Sequence, residues 1–153
     1  MSTEHPSSSH VQLQAEKELF LLIQAQLGIP LESNPVLPLA NNGVTFIQPD
    51  FFSEAHCVVG EIFAHVGKPK KAQDNKIAND ILKMLLLEKV KGKEYRKILI
   101  VCDQAEMKKL KGTSALAEAI RRFNIELRYL DINETLRNQI LQAQALQRMT
   151  NAD

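Results

Sequence analysis

Cysteine is scarce: the chain has two, Cys57 and Cys102, and neither stands in a C-x-x-C or Cys/His ligand spacing. That argues against a structural zinc module. The apolar settings AHCVVG and LIVCDQ predict both thiols as small buried hydrophobes. An excess of charge is also missing. Nineteen Lys and Arg face 18 Asp and Glu, for a net charge of +1, so no global basic field attracts nucleic acid and any such contact must come from a local patch. The opening MSTEHPSSSH is polar and lacks the apolar core of a signal peptide, and no apolar run approaches the length of a bilayer span. A cytoplasmic protein with no membrane partner is expected. Neither G-x-G-x-x-G nor G-x-x-x-x-G-K-[ST] occurs, which leaves standard dinucleotide and P-loop binding unsupported.

What is present suits one α/β domain. The 153 residues, 44% hydrophobic, are enough for a single core. Residues 1–9 read as a flexible tail, with the Ser7-Ser8-Ser9 run offering an N-cap. A helix follows from about His10 to Leu27, with Val11, Leu13, Phe20, Leu21 and Ile23 as an uneven apolar stripe, ended by Gly28 and Pro30. Four prolines from Pro30 to Pro49 disfavour helix there and leave short extended pieces. Val44 to Ile47 reads as a strand after an Asn42-Gly43 turn, and Ala55 to Val66 as another, ended by Gly67. Lys70 to Val90 holds no Gly or Pro and is the clearest helix. Ile98 to Cys102 is a continuous apolar run, expected to be a strand buried on both faces. A helix capped by Thr113 or Ser114, a strand over Ile125 to Leu130 and a helix from Asn133 to about Met149 complete the domain, 10–149. Residues 150–153 read as a tail. Strands alternating with helices predict a mixed central sheet flanked by helices.

Chemistry concentrates in one stretch. Asp50 follows a short strand at a Pro-Asp step, and Glu61 is a lone carboxylate in an otherwise apolar strand, where burial without a partner is costly. If the two strands pair, the carboxylates meet, and a hard cation such as Mg²⁺ relieves their repulsion. On the next helix Gln73, Lys76, Asp80 and Lys83 fall 3, 4 and 3 apart and share one face, which read alone is a solvated stripe of ion pairs.

From Gln14 to Asp103 these pieces, in this order, resemble the PD-(D/E)XK nuclease (restriction-endonuclease-like) superfamily. Glu18 looks like the acidic residue many members carry on the first helix, Pro49-Asp50 like the PD step, and Glu61 like the acid of the (D/E)XK strand. The resemblance implies an α-β-β-β-α-β core, here with an extra C-terminal α-β-α. It also implies a hydrolase that cleaves DNA phosphodiester bonds with Mg²⁺. Asp50, Glu61 and Glu18 would then hold metal, and Asp50, Glu61, Lys76 and Gln73 would form the catalytic set. The position two after Glu61, where the family has lysine, is Phe63, and Lys76 is the candidate to replace it.

The alternative is a catalytically inactive module of the same fold that binds nucleic acid or protein, with the apolar Phe51-Phe52 pair as its candidate contact. A third reading centres a ligand pocket on Asp103, at the carboxyl end of the ILIVC strand. Lys68, Lys70 and Lys71, and Lys89 to Lys97, are the basic segments open to phosphate. His56 and His65, with no metal spacing, read as structural. The small size suits a homodimer.

Overall fold

The computed structural model describes residues 8–40 and 43–151. Residues 1–7, which carry most of the expected tail, and the Asn42 turn position lie outside the described residues. The elements run α1 (Ser8–Leu27), β1 (Glu32–Ser33), β2 (Leu37–Pro38), β3 (Phe46–Ile47), β4 (Phe51–Ser53), β5 (Val58–Phe63), α2 (Lys71–Lys91), β6 (Arg96–Val101), α3 (Gln104–Leu110), α4 (Ala115–Arg122), β7 (Ile125–Tyr129) and α5 (Glu134–Asn151). Ser8 and Ser9 therefore belong to the first helix, and the last helix continues into the segment expected to be tail.

The class is α/β, with a mixed five-stranded sheet in the order β1-β4-β5-β6-β7. β1, β4 and β5 pair antiparallel, and β5, β6 and β7 run parallel. The two parallel steps follow from the chain: α2 returns the chain from β5 to β6, and α3 with α4 returns it from β6 to β7. β6 is central, and Ile98 to Cys102 have no exposed surface, which accounts for its unbroken apolar run.

Each face of the sheet has its own core. On one, Val58, Ile62, Ile98 and Ile100 pack beneath α1 and α5; on the other, Val59, Phe63, Leu99 and Val101 pack beneath α2, α3 and α4. α1 buries Val11, Ala15, Leu19 and Ile23, a strict four-residue spacing that puts one narrow stripe on the core. Leu13 and Leu21, expected in that stripe, are exposed. A fully buried leucine or isoleucine in such a stripe contributes about 1.5–3 kcal/mol. Gly92 closes α2 with a left-handed φ of 66° and donates its N–H to the Glu88 carbonyl at 2.9 Å.

The strand that partners β5 is not the expected one. Val44–Ile47 contributes only Phe46–Ile47, which pairs with Leu37–Pro38 in a separate ribbon. β5 instead pairs with the three residues Phe51–Ser53. Its own start is later than expected, because Glu54 to Cys57 form a turn in which the Cys57 N–H bonds the Glu54 carbonyl. Phe51 and Phe52 are both buried, so they are not a surface for a partner. Phe51 lies directly over Gly60, where an added Cβ would come within 1.9 Å of the ring, and Phe52 packs near Tyr95 with ring centroids 6.0 Å apart. Among the described residues no helix is long and apolar enough to cross a membrane.

Candidate active site

The register of β4 and β5 sets the site. Phe51 faces Gly60 and Phe52 faces Val59. Continued one step, this register puts Asp50 opposite Glu61, with both side chains on the same face. The Asp50 Oδ2 accepts the Ile62 N–H at 2.6 Å, and the Asp50 carbonyl accepts the Asn34 N–H at 3.1 Å, so the Pro-Asp step is tied to the strands on both sides. Alternation along β5 sends Ile62 to the α1 face and Glu61 to the α2 face. Glu61 is only 4% exposed. Burial pushes its carboxyl up to about 10, helped by the charges of Asp50 and Asp80 and by a hydrogen bond with Asp50. At neutral pH it therefore holds a proton that Asp50 accepts.

α2 supplies the rest of that face. Asp80 is buried rather than solvated. It pairs with Lys76 at 3.1 Å and with Lys83 at 3.9 Å. The expected ion pairs exist, but they face the acidic pair. Burial raises the Asp80 carboxyl despite Lys76. For Lys76 itself, burial works to lower the ammonium, and Asp80, Asp50 and Glu61 outweigh it and hold it above its usual range. Lys76 is thus a charged donor fixed near both strand carboxylates. Phe63, at the position expected for lysine in the resemblance, is buried and stacks on His65 with ring centroids 5.8 Å apart.

The first helix contributes a different carboxylate from the one expected. Glu18 accepts from the Asn133 side chain at 3.3 and 3.4 Å, at the start of α5. Glu16 is the residue near the site: burial and the Asp50 charge raise its carboxyl, and Lys76 and Asp80 act on it too. Residues two apart on a helix point about 200° apart, so only one of the two acids can face β5. The two acids flank the Val11-Ala15-Leu19-Ile23 stripe at equal angles, Glu16 on the side of Asp50 and Lys76 and Glu18 on the side of Asn133. Gln73 and Lys76 line a cavity of about 380 Å³ that also reaches Glu16, Phe63 and His65. The Oε1 of Gln73 is buried there with no hydrogen-bond partner among the described residues. On the other side, Glu16 and Asp50 line a second cavity of about 400 Å³.

Asp103 has a structural job. Its Oδ1 caps α3 through the Ala105 N–H at 2.9 Å, and its Oδ2 accepts the Gly67 N–H at 2.9 Å and Arg137 Nη1 at 3.2 Å. A larger cavity, about 630 Å³, lies away from all these acids between α3, α4 and β7. Its Arg121 is already spent on Glu118 and on the Gly112 carbonyl. Much of the basic stretch after α2 is likewise neutralised: Lys93 pairs with Glu54, Arg96 with Glu126, and the buried Lys97 with Glu88. His56 is exposed, and its backbone N–H bonds Ser53 Oγ. Cys102 is buried and its thiol is pushed up to about 12, first by burial, while Cys57 is half-buried.

Among the described residues no three His, Cys, Asp or Glu side chains are arranged as a metal-binding group. Asp50 and Glu61 offer hard oxygen donors only, and the crowding that raises Glu61 is the kind a divalent cation relieves. Mg²⁺ commonly takes one or two carboxylates and completes its shell with water and substrate phosphate. No family model matches the chain, and no curated protein or solved structure matches it either.

Proposed function

We propose that the chain is a Mg²⁺-dependent nuclease of PD-(D/E)XK type, hydrolysing phosphodiester bonds in DNA in the cytoplasm. The observation that carries this reading is the contact between Asp50 and Glu61 beside Lys76. Such an arrangement is expensive to bury, and the one backbone bond that the Asp50 side chain makes to Ile62 does not require Glu61 to be an acid. With the separate β2–β3 ribbon set aside, the order from α1 to β6 in the main sheet is α-β-β-β-α-β, with Asp50 just before β4 and Glu61 on the antiparallel β5, in keeping with the restriction-endonuclease-like core. The added α3-α4-β7-α5 segment extends it by a parallel strand.

Asp50 and Glu61 would hold the metal, which when bound polarises a phosphate and lowers the pKa of its water. Lys76 supplies from α2 the positive charge that Phe63 does not supply from β5, so developing negative charge on the phosphate meets an ammonium. Asp80 positions that ammonium. Glu16 takes the supporting acidic place expected of Glu18. Gln73, one turn before Lys76, lies beside the site, in the wall of the cavity.

Titration calorimetry with Mg²⁺ or Mn²⁺ tests the reading. Wild type is expected to bind and Glu61→Gln to lose binding, with affinity rising with pH as the proton on Glu61 becomes easier to displace. Asp50→Ala is expected to abolish metal-dependent DNA cleavage. Intact cleavage in Asp50→Ala would sink the proposal. A wild type that binds no metal with DNA present and cleaves nothing would leave the second reading, an inactive binding module, which the buried Phe63 at the lysine position favours.

A further inference from the structure

Beside the carboxylates lies a cavity whose chemistry they do not need. It measures about 380 Å³, within the range of small-ligand sites. Its walls combine three features. Phe63 and His65, nearly parallel at 23°, give an aromatic side. Ile140 and Ala143 of α5 give an apolar side. Gln73 and Gln147 give amides, the first with a buried acceptor that has no hydrogen-bond partner among the described residues and the second exposed at the rim. A buried acceptor left without a partner costs about 1–3 kcal/mol and calls for an explanation.

A flat, apolar-faced ligand with hydrogen-bonding edges suits all three features. Resting on the nuclease reading above, we propose that this cavity receives one unpaired nucleobase next to the phosphate being cut. The protein then acts on single-stranded or locally opened DNA. Glu16 and Lys76 line the cavity and also face the acidic pair, so a base inserted here sets its own phosphate beside Asp50 and Glu61. Beyond it, a cavity of about 280 Å³ shares His65 and Gln144 with the first and carries Lys68 and Lys70. The backbone of the same strand runs past these lysines. Glutamine amides pair with base edges and aromatic rings stack on base faces. Taking a base out of its duplex is the known way to reach it with side chains.

The test is fluorescence anisotropy, without divalent metal, using a labelled single-stranded oligonucleotide of mixed sequence and the same strand made abasic at its interior positions. The intact strand is expected to bind about tenfold more tightly, as for one stacked base. Gln73→Leu should reduce that preference while leaving the abasic strand's affinity unchanged. Gln147→Leu at the exposed rim should reduce it partly, and it keeps the test decisive should Gln73→Leu fail to fold. Equal affinity for the two strands would overturn the base pocket and leave the nuclease reading standing on phosphate contacts. Binding of neither strand at low salt would overturn the pocket, and cleavage assayed separately with Mg²⁺ would then decide the nuclease reading alone.

Discussion

Two carboxylates on neighbouring parallel strands live opposite lives. Asp103 follows β6 and has a donor for each of its oxygens: two backbone N–H groups and Arg137, which also bonds the Cys102 carbonyl at 2.6 Å. Glu61 lies within β5, and the groups nearest it include two more carboxylates, Asp50 and Asp80. Both acids are buried. One is satisfied by the fold and the other is held against it. Where a chain buries a carboxylate with its partners, the group holds the structure together. Where it gathers carboxylates with too little positive charge, the missing charge points to a ligand. Glu106 complicates the contrast. It is 1% exposed and neither oxygen has a hydrogen-bond partner among the described residues. Burial raises its carboxyl, and Asp74 and Asp103 raise it further while Lys109 opposes them.

The largest effect should come from breaking the satisfied side. Asp103→Ala removes a helix cap, the acceptor of the Gly67 N–H and one of the two carboxylates paired with Arg137, and is expected to cost about 3 kcal/mol. That is roughly 6–12 °C in Tm for a chain of this size. A loss under about 1 kcal/mol in urea denaturation would mean that the Asp103 bonds do not hold the β5 and β6 ends together. Glu61→Gln should act in the opposite direction. The folded carboxyl near 10 lies above its ordinary 4.5, so the native state keeps a proton that the unfolded chain releases. The contribution of Glu61 to wild-type stability is then greatest below about pH 4.5 and is lost as pH rises toward 10. Without divalent metal, the variant should exceed wild type by about 1–2 kcal/mol at pH 8 and match it near pH 4, and Mg²⁺ should erase the gain. Glu106→Gln should show a smaller gain of the same sign, about 0.5–1 kcal/mol, because burial also raises this carboxyl. Mg²⁺ should not change it. If both variants respond alike to Mg²⁺, the distinction between a ligand site and a strained core residue fails.

Long elements with one dominant pattern could be read from the sequence. β6 announced itself through five consecutive apolar residues, and α2 through twenty-one without a breaker. Asp50 and Glu61 could be read as well, because each is out of place: one at a Pro-Asp step, the other inside an apolar strand. Short elements could not. β1, β2 and β3 have two residues each and β4 has three, too few for a period of two to show. Their pairing comes from the long-range packing of Phe51 and Phe52. α3 was missed because seven residues carry little periodicity, although Asp103 and Glu106 have capping-box spacing. Only the aspartate's half of that box forms. Glu16 and Glu18 flank the stripe from Val11 to Ile23 at equal angles, so helical phase alone does not say which of them turns toward Asp50; the structure places Glu16 there and Glu18 on Asn133.

The Phe51 ring over Gly60 has a consequence for how the chain finds its pairing. A three-residue strand has few hydrogen bonds with which to choose a partner position, and a slip of one residue would turn every side chain to the wrong face. Slipped either way, the ring would meet the side chain of Val59 or of Glu61, because only Gly60 leaves the space empty. The glycine and the ring thus work as a key and its ward, admitting one alignment of β4 on β5. That alignment is the one that sets Asp50 across from Glu61. A steric lock on the α1 face therefore guards the spacing of the acids on the opposite face.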